Sequence, residues 1–248
     1  MSIHFVITMA GFGNRFREAG YTQPKYEIVV KSRSLFWWAL LSLRSWFAEG
    51  RFLFVVRRAD NAADFIRAEC ESLGIHQFEL ISLDSPTDGQ ATTALLACDR
   101  CEADVPLAIY NIDTHMVPGA FELPRSSEQT AGFIPAFRAH GSHWSFVALD
   151  ANGVVQQIAE KERISEFATA GLYWFRSATT YRESYRATYS SGNVKGSPQE
   201  CYVAPVYQHL LDRGLIIRSA ILAPGSVWAM GTPKEVDQFA RSDYDSPR

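Results

Sequence analysis

The sequence predicts an α/β protein of three layers, with a mostly parallel mixed sheet between two layers of helices. Three observations carry this. Short apolar segments alternate with helical ones through the first 115 residues, the pattern that builds parallel strands joined by crossover helices. Two segments, Phe52-Leu53-Phe54-Val55-Val56 and Pro106-Leu107-Ala108-Ile109-Tyr110, are continuously apolar, as strands covered on both faces must be. The first strand, Ile3-His4-Phe5-Val6-Ile7-Thr8, runs straight into a glycine turn, Gly11-Phe12-Gly13. Open α/β sheets gather ligands at such strand ends.

The elements follow in order. After the turn, Ile28-Val29-Val30 reads as a short strand, and Leu35–Phe47, apolar all round, as a buried helix. Residues 52–56 form the next strand. Asn61–Leu73 is an amphipathic helix, with Ala62, Phe65, Ile66, Glu69 and Cys70 at helical spacing and Gly74 at its end. Phe78–Ile81 is a strand, Thr92–Cys101 a helix and 106–110 a buried strand. Beyond these, Thr130–Phe137, Trp144–Leu149, Val154–Ile158 and Thr169–Phe175 read as strands, with Ala151-Asn152-Gly153 as a hairpin turn. Thr179–Tyr189 and Val203–Arg213 read as helices, Ser190 to Pro198 as a mobile surface loop, Ile216–Ile221 as a strand. Pro233–Phe239 is a closing helix with proline in its first turn. No repeat, low-complexity segment or linker interrupts the chain. It therefore reads as one domain over 1–248, with halves 1–115 and 116–248.

Composition narrows the function classes. The 248 residues are 47% hydrophobic and 13% aromatic, which supports a packed core. A net charge of -3 argues against a general binder of nucleic acid or membrane surface. No apolar run approaches the roughly 18–20 residues that span a bilayer. No basic n-region precedes an apolar core at the start, so a cytoplasmic location is expected. Four cysteines are too few for a disulfide scaffold in a chain this long. Cys98-x-x-Cys101 lacks the second pair of a zinc site and equally suits buried core thiols. The aromatic residues Phe36-Trp37-Trp38 and Trp46-Phe47 suit the core or the face of a homo-oligomer.

Several residues suit chemistry. Gly11 and Gly13 let backbone approach an anion, Arg15 has a planar fork for phosphate oxygens, and Lys25 is a mobile point charge. The turn is neither a dinucleotide fingerprint, since Phe16 stands where the third glycine belongs, nor a P-loop. By itself it fits phosphate binding or a plain turn. Asp113, after a buried strand, suits Mg²⁺, a hard cation that prefers oxygen, or a cap. His115 makes this an Asp-x-His that offers a second, softer ligand or a structural histidine. In Thr87-Asp88-Gly89-Gln90-Ala91-Thr92-Thr93, Gly89 admits a flat ligand and Gln90 offers a donor and an acceptor for a base edge. An N-cap by Thr87 or Asp88 fits as well. Lys161 fits an exposed charge, and Tyr202 and Tyr207 fit the core.

Ala10-Gly11-x-Gly13-x-Arg15-Phe16, followed by Gly20-Tyr21-x-x-Pro24-Lys25, resembles the opening of the sugar-phosphate nucleotidyltransferases. More narrowly, it is similar to the nucleotidyltransferase-like proteins of bacterial capsule and surface-polysaccharide gene clusters. The resemblance recurs at Asp113, in 87–93, in Glu160-Lys161, in Ala168–Phe175 and in Glu200-Cys201-Tyr202-Val203-Ala204-Pro205-Val206-Tyr207. It implies a Rossmann-like nucleotide-diphospho-sugar transferase fold, GT-A-like in outline. It also implies a first half for the nucleotide and a second for a phosphorylated acceptor. Ala10, Gly11, Gly13, Asn14 and Arg15 would hold the triphosphate, Gly89 and Gln90 the base, with a pyrimidine favoured. Lys25 would stabilise the α-phosphate and Asp113 would hold Mg²⁺. Glu160, Lys161, Gly171 and Glu200 would hold the acceptor, with Lys161 on its phosphate and Glu200 on a hydroxyl. The chain departs from the pattern where a second metal aspartate is expected before Gly231-Thr232, since Ala229 and Met230 stand there. Either Asp113 suffices with phosphate and water, or Glu160 or Glu162 substitutes, or catalysis is weakened. The alternatives are a glycosyltransferase holding a ready-made nucleotide-sugar through Asp113-x-His115, and a degenerate nucleotide-binding relative.

Overall fold

The computed structural model describes residues 2–124, 129–190 and 200–245. The first half contains β1 (Ile3–Thr8), α1 (Asn14–Glu18), β2 (Val29–Val30), β3 (Arg33–Ser34), α2 (Leu35–Leu41), β4 (Gly50–Arg57), α3 (Ala63–Leu73), β5 (Phe78–Leu83), α4 (Gln90–Ala97), β6 (Leu107–Asn111) and β7 (Thr114–Met116). The second half adds β8 (Thr130–Arg138), β9 (Ser145–Leu149), β10 (Val155–Glu160), β11 (Phe167–Thr169), β12 (Leu172–Phe175), α5 (Ala178–Tyr185), α6 (Gln208–Asp212), β13 (Ile216–Ile221), β14 (Val227–Ala229) and α7 (Pro233–Ala240).

One mixed sheet crosses both halves in the order β10-β9-β11-β8-β12-β6-β1-β4-β5, with β13 beside β8. Strands β6, β1, β4 and β5 run parallel. The second half joins antiparallel, through β12 against β6. Residue alternation along the central strands sorts their side chains between two cores. Val6, Leu53, Val55, Leu107 and Ile109 face α4, α5 and α6, while Phe5, Ile7, Phe52, Phe54 and Tyr110 face α2 and α3. All are fully buried, each larger side chain stabilising the fold by roughly 1.5–3 kcal/mol. This is the expected three-layer α/β architecture. On α4 the sheet-facing residues are Ala91, Ala94 and Ala97, small enough to bring the helix, and the loop before it, close to the strand ends.

Several elements differ from expectation. The helix from Leu35 stops at Leu41 and gives way to a 3₁₀ turn at Arg44–Trp46. Ser42, at the end of the helix, is tied to the sheet: its hydroxyl accepts from Tyr110 Oη at 3.0 Å and Met116 N at 2.8 Å. The strand expected over Thr169–Phe175 is two strands, β11 and β12, broken at Gly171 with φ 74°. Val203–Arg213 is a 3₁₀ turn, Ala204–Tyr207, leading into α6. The short strand near Ile28 is half of a hairpin with β3, turned by Lys31 and Ser32 at positive φ. The loop expected over Ser190 to Pro198 lies, after Ser190, outside the described residues. Phe36, Trp37, Trp38 and Phe47 are buried within the chain, so they belong to the core. All four cysteines are buried and free. No helix among the described residues is long and apolar enough to cross a membrane.

Candidate active site

The carboxyl ends of β1 and β6 open into a cleft of about 930 Å³, within the range of small-molecule sites. Its first wall is the turn after β1. Gly13 is left-handed, with φ 64° and ψ 35°, a conformation glycine adopts without steric cost. Its carbonyl accepts from Phe16 N at 2.9 Å and starts α1. Ala10, Gly11, Asn14 and Arg15 line the cleft beside it. A Cβ on Gly11 would meet nothing within 4 Å, so the chain's own packing does not require glycine there.

Pro24 leads into a 3₁₀ turn, Lys25–Glu27. The buried Tyr26 ring pins this turn while Lys25 projects into the cleft. Lys25 Nζ donates to Asp113 Oδ2 at 2.7 Å. Asp113 occupies the two-residue turn between β6 and β7, beside the buried Ile112. Behind it, β7 pairs with β14, Ala229 opposite Thr114, and Met230 N donates to the Asp113 carbonyl at 2.8 Å.

The second wall is the loop before α4. Gly89 has φ 152°, and a Cβ there would collide with the backbone of Cys201. The chain's own close approach to Cys201 therefore requires glycine here, and Gly89 also lines the cleft. Cys201 N donates to the Asp88 carbonyl at 2.7 Å, and Ala91 N to the Cys201 carbonyl at 2.8 Å. These bonds clasp the loop to the 200–202 segment. The Gln90 side-chain amide donates to Thr8 Oγ1 at 3.0 Å and to Asn111 Oδ1, tying the loop to the ends of β1 and β6.

The third wall comes from the second half. Glu160, at the end of β10, accepts from Ser145 Oγ. Ser145 lies 3.5 Å from Tyr173 Oη, which is 2.9 Å from Thr169 Oγ1. Burial pushes the Glu160 carboxyl above its ordinary range, against the opposing pull of the Ser145 hydroxyl and Lys161. Lys161 is left-handed at φ 55°, a strained position for a side chain with a Cβ. It donates to Tyr202 Oη, which donates to Glu200. The bond to Tyr202 raises the Lys161 pKa. Gly171 lines the cleft, but its bare Cα serves to admit Asn111, whose Nδ2 would lie 2.8 Å from a Cβ there.

Every residue expected to hold nucleotide, metal or acceptor thus lines one cleft. His115 does not. Successive residues of β7 point to opposite faces, Thr114 takes the cleft side, and His115 is fully buried behind it. Its Nδ1 is 2.7 Å from the Trp38 carbonyl and its Nε2 3.0 Å from Tyr244 Oη. Burial lowers its pKa to about 4. The Asp-x-His pair is not a ligand pair. Glu162 is exposed outside the cleft and supplies no substitute carboxylate.

Ser145, Asn111 and Glu235, to which the sequence assigns no role, also line the cleft, as does Tyr173 of the Ala168–Phe175 segment. Glu235 had a signal: Thr232-Pro233-Lys234-Glu235 has the Thr-x-x-Glu spacing of a capping box. Thr232 Oγ1 accepts from Glu235 N at 3.2 Å and donates to Glu235 Oε2 at 2.9 Å. A Cβ on Gly231 would stand 3.3 Å from Asp113 Oδ2 and 3.6 Å from Glu235 Oε2, so both carboxylates face the space this glycine leaves. No group of three or more His, Cys, Asp or Glu that suits a metal occurs among the described residues. The cleft nonetheless fits Mg²⁺, which takes one or two carboxylates and completes its shell with water and phosphate oxygens.

A mixed sheet, mostly parallel in its first half and flanked by helices, is the nucleotidyltransferase form of the α/β fold. No protein-family model matches the chain, and no curated protein matches it. Among solved structures, the nucleoside-diphosphate-sugar pyrophosphorylase from Vibrio cholerae RC9 is 36% identical, with a TM-score of 0.85, over 96% of this chain and 100% of that one. The inositol-1-phosphate CTP transferase from T. maritima shares the fold at 16% identity and a TM-score of 0.73, over 94% and 90% of the two chains. The chain belongs to the nucleoside-diphosphate-sugar pyrophosphorylase family.

Proposed function

We propose that this protein joins an NTP to a phosphorylated acceptor, a sugar 1-phosphate or a close relative, and releases pyrophosphate. A phosphate oxygen of the acceptor attacks the α-phosphorus in line. The bond from the α-phosphorus to the bridging oxygen of the β-phosphate breaks, and pyrophosphate leaves with that oxygen. The attacking phosphate is already an anion, so no general base is needed, and catalysis is positioning and charge neutralisation.

The observation that carries this reading is one cleft with three differently equipped walls. The glycine turn and Arg15 hold the triphosphate, and Lys25 steadies charge on the α-phosphate. Gly89 and Gln90 set the loop that reads the base, with a pyrimidine favoured. Glu160 and Glu200 accept from acceptor hydroxyls, Lys161 pairs with the acceptor phosphate, and Gly171 shapes the wall between. Asp113 would hold Mg²⁺, which when bound would supply positive charge to offset that of the phosphates. The product is an activated precursor for capsule or surface polysaccharide, made in the cytoplasm, where NTPs are available. A glycosyltransferase relying on Asp113-x-His115 is disfavoured by the turned-away imidazole.

The test is pyrophosphate release from each common NTP, with Mg²⁺, against a pool of sugar and polyol phosphates. Release with one pair identifies base and acceptor together. No release from any pair, with nucleotide still bound, overturns the reading.

A further inference from the structure

The antiparallel pairing of β14 with β7 brings residues 229–231 against Asp113, yet none of the three carries a carboxylate. Ala229 ends in a methyl, Met230 is fully buried in the core, and Gly231 has no side chain. The carboxylate that reaches this place comes from one turn into α7. Glu235 Oε2 and Asp113 Oδ2 flank the point where a Gly231 Cβ would stand, at 3.6 and 3.3 Å.

Thr232 Oγ1 donates to Glu235 Oε2 at 2.9 Å, so the cap holds the very oxygen that faces the gap opposite Asp113. Two carboxylates turned to one gap repel each other unless a cation joins them. Lys25 supplies part of that charge, on Asp113 Oδ2. The donors are hard oxygens, with His115 directed elsewhere, and the gap is free of side chain because residue 231 is glycine. We propose that Glu235 is the second metal-holding carboxylate of this site, replacing from α7 the one that Ala229 lacks. This rests on the nucleotidyltransferase reading for its purpose, though metal binding can be measured without it.

The experiment is titration with Mn²⁺ alone, following the free-ion signal by electron paramagnetic resonance. It uses the full chain carrying Lys25→Ala, which removes the ammonium competing for Asp113. Adding Glu235→Gln, which keeps a hydrogen-bonding oxygen for Thr232, is expected to weaken Mn²⁺ binding by about 10-fold or more, on the scale of losses at metal-site carboxylates. Adding Gly231→Ala instead, which fills the gap with a methyl and leaves every charge in place, is expected to weaken it similarly. Ala229→Asp is expected to restore binding to the Glu235→Gln protein. Unchanged Mn²⁺ affinity in both variants, with thermal unfolding intact, overturns the proposal. So does failure of the Lys25→Ala protein to bind Mn²⁺. Pyrophosphate release by the unmodified protein decides the parent reading separately. Release combined with an indifferent Glu235→Gln sinks this inference alone. No release, combined with Mn²⁺ binding lost in Glu235→Gln, sinks the enzyme reading and leaves the metal seat standing.

Discussion

Lys25 Nζ lies 2.7 Å from Asp113 Oδ2, joining residues 88 positions apart in the chain. Their side chains are 21% and 23% exposed, so water screens the pair only partly. The charge that answers Asp113 is thus carried by a long side chain on a turn anchored by Tyr26, while Asp113 is fixed between two strands. Lys25→Ala is expected to lower kcat by on the order of 10²–10³, the usual loss of one preorganised charge donor, with far-UV circular dichroism unchanged. Near-normal turnover removes Lys25 from the mechanism.

Gly89→Ala tests the clasp. The added methyl meets the Cys201 backbone at a φ that residues with a Cβ rarely adopt. The expected loss is roughly 1–3 kcal/mol from strain and overpacking, read as a lower urea midpoint. KM is expected to rise for both NTP and acceptor, because both recognition segments are displaced. A rise for the NTP alone contradicts the clasp.

The fold was readable where periodicity was strong. The central strands are continuously apolar because both faces are covered, and α3 showed its stripe and its closing Gly74. Elements set by tertiary contacts were not readable. The hydroxyl of Ser42, where α2 ends, bonds to Tyr110 and Met116, partners remote in sequence. Gly171 splits a strand to admit Asn111, and nothing local to it announces that. The same limit applied to the cleft. Residues in short motifs stand out, whereas Ser145 lies within an ordinary strand and joins the cleft only through the folded sheet. Glu235 sits in an ordinary first helical turn, where it meets the capping Thr232.

Lys161 separates stability from binding. Its backbone is left-handed, so Lys161→Gly is expected to relieve up to about 1 kcal/mol of strain. The same change removes the charge meant for the acceptor phosphate. Equilibrium unfolding is expected to show no loss of stability, while acceptor KM rises about 10-fold or more and NTP KM stays level. An unchanged acceptor KM returns Lys161 to the solvated surface.

Glu160 gives a pH signature. Burial raises its folded-state pKa above the usual glutamate range, so between the unfolded and folded values the native chain holds a proton that the unfolded chain has lost. Its contribution to stability is fully present below the unfolded value and is lost as pH rises through the folded one. Glu160→Gln has no such loss. In urea titrations across the acid range, the variant is expected to gain on the wild type as pH rises through that window. A pH-independent difference contradicts the assignment.

The backbone of Cys201 accepts from one side of the Gly89 turn and donates to the other, so the two segments proposed to recognise base and acceptor are one piece of hardware. Engineering a new base preference by grafting only residues 86–93 from a relative leaves the donor loop resting on a foreign backbone. The transplantable module is 86–93 together with 200–203. Specificity for the two substrates should therefore drift jointly among relatives, as linked traits, and libraries that randomise only one of the two segments will return mostly misfits.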